Sequence, residues 1–575
     1  MQSLFTRYSI YPMKHVALIS PALLILFLSL AAKAYAEEGL IAHWPLANDG
    51  RDISGNGLHA TPYRVDFSVT GPSVHAPTAA GFDGRLSRLE VAANPLLRFG
   101  HEDFTLAAWI YTDVAPGDIP GDILSQYDVR SRRGFHFSLK TNAGVTFSQP
   151  NSRQLQFGID QDRAADGWTD CGRPGSALLA FAMCSFNGHL YAGTCEPGPD
   201  ETGHVYRYAG EKQWLDCGAP DKSNAVTSLA AFEGQLYAGT GKYRVAGSSL
   251  PESENTIRGG HVYRYDHVSR WIDCGALPNT EAVGGLAVFK GKLYATSLYR
   301  PAGFYRFDGN STWTECAVPE RPQDAPGEST TMRVEAIAAY NGALYGTTYD
   351  GGRVFKFDGE RWSDCGQLGD NTQTYSLAVW AGRLYIGTWP SGRVYRFQEP
   401  NQWEDVGRLG DELEVMGMLV HNGRLIAGTL PLAEVYQFDG QSSWQKLVRL
   451  DHTPDVRYRR AWCMAESQGR VFCSTLPSGK IYSWQAGRVA MADQGLSPGW
   501  HHVAAIRGDN SLKIFVEGQQ VAVEGGFQPS DFDLSNEQPL QIGFGPNDYF
   551  QGRMSDVRLY RRALTEGEIA NFVKQ

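Results

Sequence analysis

The chain has 575 residues, with 52 basic and 62 acidic side chains and a formal net charge of −10. Its length allows about three to four domains, and its 64 glycines suit a turn-rich β protein. The acidic balance argues against bulk binding of nucleic acid or anionic lipid.

Residues 1–36 read as a secretory signal peptide. They hold Arg7, Lys14 and Lys33 and no acid, run through an apolar stretch, and end on Ala34-Tyr35-Ala36. Export is therefore expected, to the periplasm, the cell surface or the medium. No later run approaches spanning length, so no membrane span is expected after cleavage. Two stretches come next, "GLIAHWPLANDGRDISGNGLHA" from Gly39 and "FTLAAWIYTD" from Phe104. Both alternate apolar and polar residues as strands do.

At Trp168 stands "WTDCG", the last piece of a repeat with no unit before it. The full unit begins with an apolar run and a tight turn followed by G-x-L-Y-A-G-T. It continues with a G-x-V-Y-R-Y/F-D strand and ends with W-x-D-C-G. The turn glycines are 188, 234, 291, 342, 382, 423 and 469, spaced 40 to 57 residues apart. Four short strands in such a period define a β-propeller blade. The terminal Trp strand follows six of the seven units, at Trp214, Trp271, Trp313, Trp362, Trp403 and Trp444. The strand at Trp168 supplies the seventh, so a seven-bladed ring is expected to close on its own first strand. The blades carry no kelch Gly-Gly pair, no Trp-Asp repeat signature and no sialidase-type Asp box. His204 and His261 occupy matching repeat positions and read as blade structure.

After the ring come "GWHHVAAIRGDNSLKIFVEGQQVA" from Gly499 and "FQGRMSDVRLYRRALTEGEIANF" from Phe550. With the two early stretches, these resemble a laminin-G-like, concanavalin-A-like jelly roll, over most of 39–160 and 496–572. Neither flank holds the whole set. The expected fold is all-β, with a seven-bladed propeller inserted into a split sandwich. The divisions are 1–36 signal peptide, 37–163 first sandwich half, 164–493 propeller and 494–575 second half. Strand direction places both crossings on the ring face that carries the third–fourth-strand turns, which leaves the other face open.

Nine cysteines are present. Five of them, at 171, 217, 274, 316 and 365, share one repeat position, too far apart to bridge; they read as apolar thiols. Cys463 and Cys473 are candidates for a bridge between adjacent strands.

Long, unequal loops mark the open face, where a scaffold usually carries function. They hold Tyr243, Arg244, Tyr299, Arg300, Tyr349, Trp389, Arg457, Tyr458, Arg459 and Arg460, with Arg258 and Arg333 nearby. Guanidinium forks match carboxylate and sulfate, and aromatic faces stack on sugar rings. The expected ligand is a polysaccharide or glycan, and the arginines suit an anionic one. Acids interleave these loops, among them Glu252, Glu320, Asp324, Asp451 and Asp455, so solvated loop charge is the bland alternative. The enzyme alternative is a secreted polysaccharide lyase working through Tyr299, Arg300, Tyr458 and His452. A glycoside hydrolase, with Asp350 and Glu414 as the carboxylates, ranks below it. Neither has a specific motif. The resemblance to lectin-like sandwiches implies a structural Ca²⁺ near Asp52, Asn56 and Asp556, with an ordinary Asx turn as the alternative.

Overall fold

The computed structural model describes residues 37–574 apart from 114–116, 165–166, 269 and 400. The signal-peptide segment lies outside the described residues. The protein is all-β, with a sandwich and a propeller-like set of sheets. One short α-helix, Glu566–Phe572, sits near the C-terminus, capped by Thr565 and Glu568.

The sandwich draws strands from both ends of the chain. Its eight-stranded sheet pairs Phe104–Thr112 with Gly499–Gly508 on one side and with Gln551–Tyr560 on the other. The seven-stranded sheet runs through Gly121–Asp128, Arg133–Lys140 and Gln154–Ala164 to Ala486–Gly495. Inward-facing residues such as Trp44, Phe104, Phe135, Phe157, Ile514 and Leu559 fill one core between the sheets.

The repeats form five four-stranded sheets and one eight-stranded sheet. The expectation of seven separate blades is corrected in this respect. Strands Leu179–Phe186 to Trp214–Asp216 and Ala225–Phe232 to Trp271–Ala276 belong to one sheet, joined by the single pair Cys195 with Ala225. There the end of one second strand meets the start of the next inner strand.

The repeat signature is explained by three local devices. Each tight turn takes left-handed φ at both central residues, as at Asn187-Gly188 (47° and 75°) and Asn422-Gly423 (45° and 75°). That geometry matches strand twist and favours glycine at the second place. In six copies the Trp indole N–H donates to a backbone carbonyl at the end of the preceding outer strand or just beyond it, as in Trp214 to Cys171 at 2.9 Å, Trp271 to Cys217 at 3.0 Å and Trp403 to Cys365 at 2.8 Å, whereas the buried Trp168 N–H makes no such bond among the described residues. The motif's Asp caps the Gly N–H two residues on, as in Asp216 with Gly218 at 2.8 Å. It also pairs with the start of the third strand: His204 to Asp216 at 2.9 Å, His261 to Asp273 at 3.2 Å.

The strand Thr169–Asp170 completes the last sheet. Thr169 lies opposite Ser483 and Asp170 opposite Tyr482. Asp170 takes an ion pair from Lys480 at 2.9 Å, as Asp216, Asp273, Asp364 and Asp405 do from His204, His261, Arg353 and Arg393. Trp168 stacks on Trp484 with centroids 5.7 Å apart.

All nine cysteines are free thiols. The candidate bridge is corrected by register: Met464, not Cys463, lies opposite Cys473, and successive side chains of a strand point to opposite faces. Of the five repeat-position thiols, Cys316 alone is half-buried and the others are buried.

The sandwich rests on the first–second-strand turns of the ring, which share a face with the third–fourth turns. The Gly188 N–H donates to the Asp493 carbonyl at 3.0 Å, Ala381 to Pro546 at 2.9 Å, and the Tyr127 hydroxyl to the Asn422 carbonyl at 3.1 Å. From its inner sheet, residues 141–153 enter the centre of the ring. Inner-strand N–H groups of Ser185, Leu286 and Leu377 donate to the carbonyls of Pro150, Phe147 and Gly144, at 2.7, 2.9 and 2.9 Å. Phe147 stacks on Phe181. This segment plugs the ring's axis on the sandwich side. A buried charge network seals the contact: Lys140 to Glu466 at 2.6 Å, His421 to Glu466 at 2.9 Å and Arg424 to Asp160 at 2.7 Å.

Candidate functional site

The face away from the sandwich gathers the ends of second strands and the starts of inner strands. In an antiparallel pair these lie side by side, so each sheet delivers two short segments to the axial mouth. Tyr299, Tyr349 and Trp389 come from the ends of second strands and the loop residues just beyond them. Arg333, Glu335, Tyr375, Glu414 and Arg460 come from the inner strands and their approaches.

These side chains meet. The Tyr349 and Tyr375 rings lie 4.7 Å apart. Arg333 stands over the Tyr349 ring at 5.4 Å, 2.9 Å from Glu335 and 3.7 Å from Asp350. Arg300 reaches Asp350 at 2.5 Å. Across the mouth, Arg460 lies 3.9 Å from Glu414, against the Trp462 ring at 5.4 Å and the Tyr458 ring at 5.7 Å. Trp389 meets Tyr458 edge to face at 6.2 Å. Arg244 lies over the Tyr299 ring at 4.3 Å, and its backbone N–H donates to the Tyr299 hydroxyl at 3.0 Å.

Burial dominates the electrostatics. It pushes the Glu414 carboxyl up to about 7, with Arg460 and Tyr375 opposing. It drives Glu335 well above the usual carboxylate range, with Arg333 opposing. Tyr349 and Tyr375 are raised well above the ordinary phenol value by burial and the nearby acids. These phenols are neutral donors at physiological pH, not bases. Asp350 and, on Arg244, Glu281 at 2.8 Å offset part of the arginine charge. Glu335 and Glu414, raised by burial, offset it less, so the mouth keeps a positive bias.

The sequence candidates divide into four groups. Tyr299, Arg300, Tyr349, Trp389, Tyr458 and Arg460 join the cluster, Arg460 as a buried member. Tyr243 is buried beneath it, its hydroxyl 2.7 Å from Ser248 Oγ, so its role as a direct ligand contact is corrected to support. Arg244, Arg457 and Arg459 form the rim: Arg457 lies over the Tyr458 ring, and Arg459 donates to the Thr453 carbonyl at 2.6 Å. His452 is exposed, and no hydrogen bond or ion pair ties it to the cluster among the described residues. Sequence reasoning missed Glu335, Tyr375 and Trp462. Their signal is register. Nine and seven residues before the turn glycine, three early repeats carry Leu179 and Phe181, Ala225 and Thr227, and Ala282 and Gly284; later repeats carry Arg333 and Glu335, Gln373 and Tyr375, and Arg460 and Trp462.

The residues expected to hold calcium do not fit a cation. Asp52 Oδ1 accepts the N–H groups of His43 and Ser54, and Oδ2 accepts Ser54 Oγ and the Leu58 N–H. Asn56 donates to the Ile41 carbonyl. Asp556 is bonded to His43 at 2.6 Å and Arg558 at 3.0 Å. Among the described residues no three His, Cys, Asp or Glu side chains gather as metal ligands. Asp52 organises its own loop, as in an Asx turn. Among these residues, too, no helix is long and apolar enough to cross a membrane.

Residues 448–570 match the profile of the concanavalin A-like lectin/glucanases superfamily. That span begins in strand Trp444–Arg449, crosses the last propeller sheet, and runs through the second group of sandwich strands. No curated protein matches the chain. Among solved structures, a catalytically inactive virginiamycin B lyase from Staphylococcus aureus with quinupristin is similar at 8% identity and a TM-score of 0.41, over 56% of this chain and 99% of that one. YCF48 from Cyanidioschyzon merolae is similar at 10% identity and 0.39, over 56% and 99%. The WD40 β-propeller domain of Doa1 is similar at 12% and 0.38, over 56% and 98%. Likenesses this distant carry no argument about function.

Proposed function

We propose that the protein is an exported carbohydrate-recognition protein whose axial mouth, on the face away from the sandwich, binds a glycan. The observation that carries this reading is the convergence of half-buried Tyr299, Tyr349, Tyr375 and Trp389 with Arg333 and Arg460 at one mouth. Aromatic faces take the apolar side of a sugar ring, and neutral phenols and guanidinium groups bond its hydroxyls. The concanavalin A-like match supports a sugar-related role. On this reading the eight-stranded sheet counts as two blades, which makes a ring of seven. The ring (164–493) is an insertion between the sandwich halves 37–163 and 494–575, and residues 1–36 direct export.

A second reading rests on Glu414 and Glu335. Carboxyls raised by burial, to about 7 at Glu414, beside arginines are suited to general-acid hydrolysis of a glycan. A lyase is less favoured, because its base would be a phenol that burial holds protonated. The test is a panel of neutral and anionic polysaccharides, scored for binding, new reducing ends and unsaturated uronate absorbance. Binding without product, weakened about ten-fold or more by Tyr349→Ala at unchanged Tm, is the expected result. Product formation lost in Glu414→Gln would replace the recognition reading with the hydrolase.

A further inference from the structure

A second cavity, of about 530 Å³, lies between the sandwich and the ring, on the opposite side of the plug from the axial mouth. That volume suits a small organic molecule. Its floor is set by one position of the repeat, two residues before the first central residue of each tight turn. In three repeats this residue is Ser185, Val420 or Glu466, and the sandwich buries it. In the other four it is Ala231, Val288, Ala339 or Val379, and all four are half-buried and line the cavity. Half-buried Ile119 lines it from the sandwich. The charged groups of the wall are committed elsewhere. Lys140 pairs with Glu466 at 2.6 Å. Arg153 Nε donates to the Leu496 carbonyl at 2.8 Å, Nη2 donates to Thr112 Oγ1, and Nη1 is shut off from solvent. Asp118 and Asp548 each turn one oxygen to the next backbone N–H, of Ile119 at 2.9 Å and Tyr549 at 2.8 Å, and the other oxygen is likewise shut off. Glu233 and Asp493 stand exposed at the rim.

We propose that this cavity binds an uncharged, largely apolar small molecule. Its body lies on Ala231, Val288, Ala339 and Val379 and covers apolar surface that water otherwise wets. A charged group on the same body would leave bulk water and find no uncommitted partner of opposite sign inside, a cost that an uncharged body does not meet. Alanine and valine at the four places also keep the space open, since a larger side chain at any of them would occupy it. Because no ion pair contributes, salt does not weaken the binding.

The test is fluorescence titration of the full chain with N-phenyl-1-naphthylamine, which is uncharged, and with 8-anilino-1-naphthalenesulfonate, the same body bearing a sulfonate. The uncharged probe is expected to bind, with an affinity that does not fall between about 0.05 M and about 0.5 M salt. The sulfonate should bind about ten-fold or more weakly. In displacing the bound probe, 1-naphthalenemethanol should outcompete 1-naphthylmethylammonium chloride by a similar factor. Val288→Trp, which fills the floor, should weaken the uncharged probe about ten-fold or more at unchanged Tm; Ala339→Leu takes its place if the tryptophan variant does not fold. No binding of the uncharged probe, equal affinity for charged and uncharged bodies, or full binding by the filled variant would each overturn the proposal. So would a probe lost in Tyr349→Ala and kept in Val288→Trp, since it would then sit in the axial mouth. None of these outcomes depends on the glycan reading, which concerns the other face.

Discussion

Arg460 shows how a single side chain can serve stability and the mouth together. It is buried, stands against Trp462 and Tyr458, and is the cation nearest Glu414. Arg460→Ala would remove the cation that opposes burial at Glu414, so the carboxyl would hold its proton through neutral pH and the cost there, about 1–3 kcal/mol, is mainly lost packing against Trp462 and Tyr458. Chemical denaturation checks this, and the loss should grow above pH 8, where Glu414 beside Arg460 is ionised in the unaltered protein. Asp52 makes the contrasting case. Because its oxygens are saturated by loop donors, Asp52→Ala should destabilise the sandwich by about 1–3 kcal/mol, while calcium or a chelator leaves the unaltered protein's Tm unmoved. A calcium-dependent rise in Tm would restore the metal reading. The rim residues were legible in the sequence because they stand in long, irregular loops. Glu335 and Tyr375 were not. Each is one polar letter at the start of an inner strand, and their convergence depends on neighbouring sheets being set around one axis.

At the scale of the element, the repeat was readable because its devices are local. A turn glycine, an Asp two residues before a Gly and a Trp at fixed offset each act within a few residues or on the adjoining sheet. What the sequence could not show was that the first two units share a sheet, since that rests on one backbone pair. Nor did it show the plug. "TNAGVTFSQPNSR" reads as a polar connection, and its bonds go to inner strands far along the chain. Phe147 is its apolar anchor, buried and stacked on Phe181. Phe147→Ala should cost about 3–5 kcal/mol and quicken amide exchange at Leu286 and Leu377, whose N–H groups bond the plug. If those amides exchange as slowly as before, the plug is held by something other than Phe147.

Across the whole molecule, the sandwich and ring are joined by charge buried in both. Burial alone would raise Glu466, but Lys140 and His421 hold it down to about 2. A carboxyl whose folded value is depressed stabilises the fold above its unfolded value, near 4.5, and that share is lost as pH falls toward 2. The loss is on the order of 3 kcal/mol. Asp118 runs the other way. Its raised value means that the folded state binds the extra proton, so stability falls as pH rises from about 4 to 7. Asp118→Asn should therefore be more stable than the unaltered protein at pH 8 and no more stable at pH 5, measured by denaturant midpoints at both. The two-sided origin of the sandwich was legible, because its strand stretches flank the repeats. The charges that fasten it to the ring were not, since Lys140, Asp160, Glu466 and Arg424 are ordinary letters until two domains are docked.

The pairing of Phe104–Thr112 with Gly499–Gly508 and Gln551–Tyr560 also orders events on the ribosome. When the first sandwich strands emerge, their neighbours in the sheet have not been made. At cellular elongation rates of about 5–20 residues per second, the strands closing the core arrive roughly twenty to ninety seconds later. The blades can form meanwhile, one sheet at a time, while apolar strand edges wait uncovered. The nascent chain must therefore pass through a long-lived state in which the later module is built and the earlier one is half a fold.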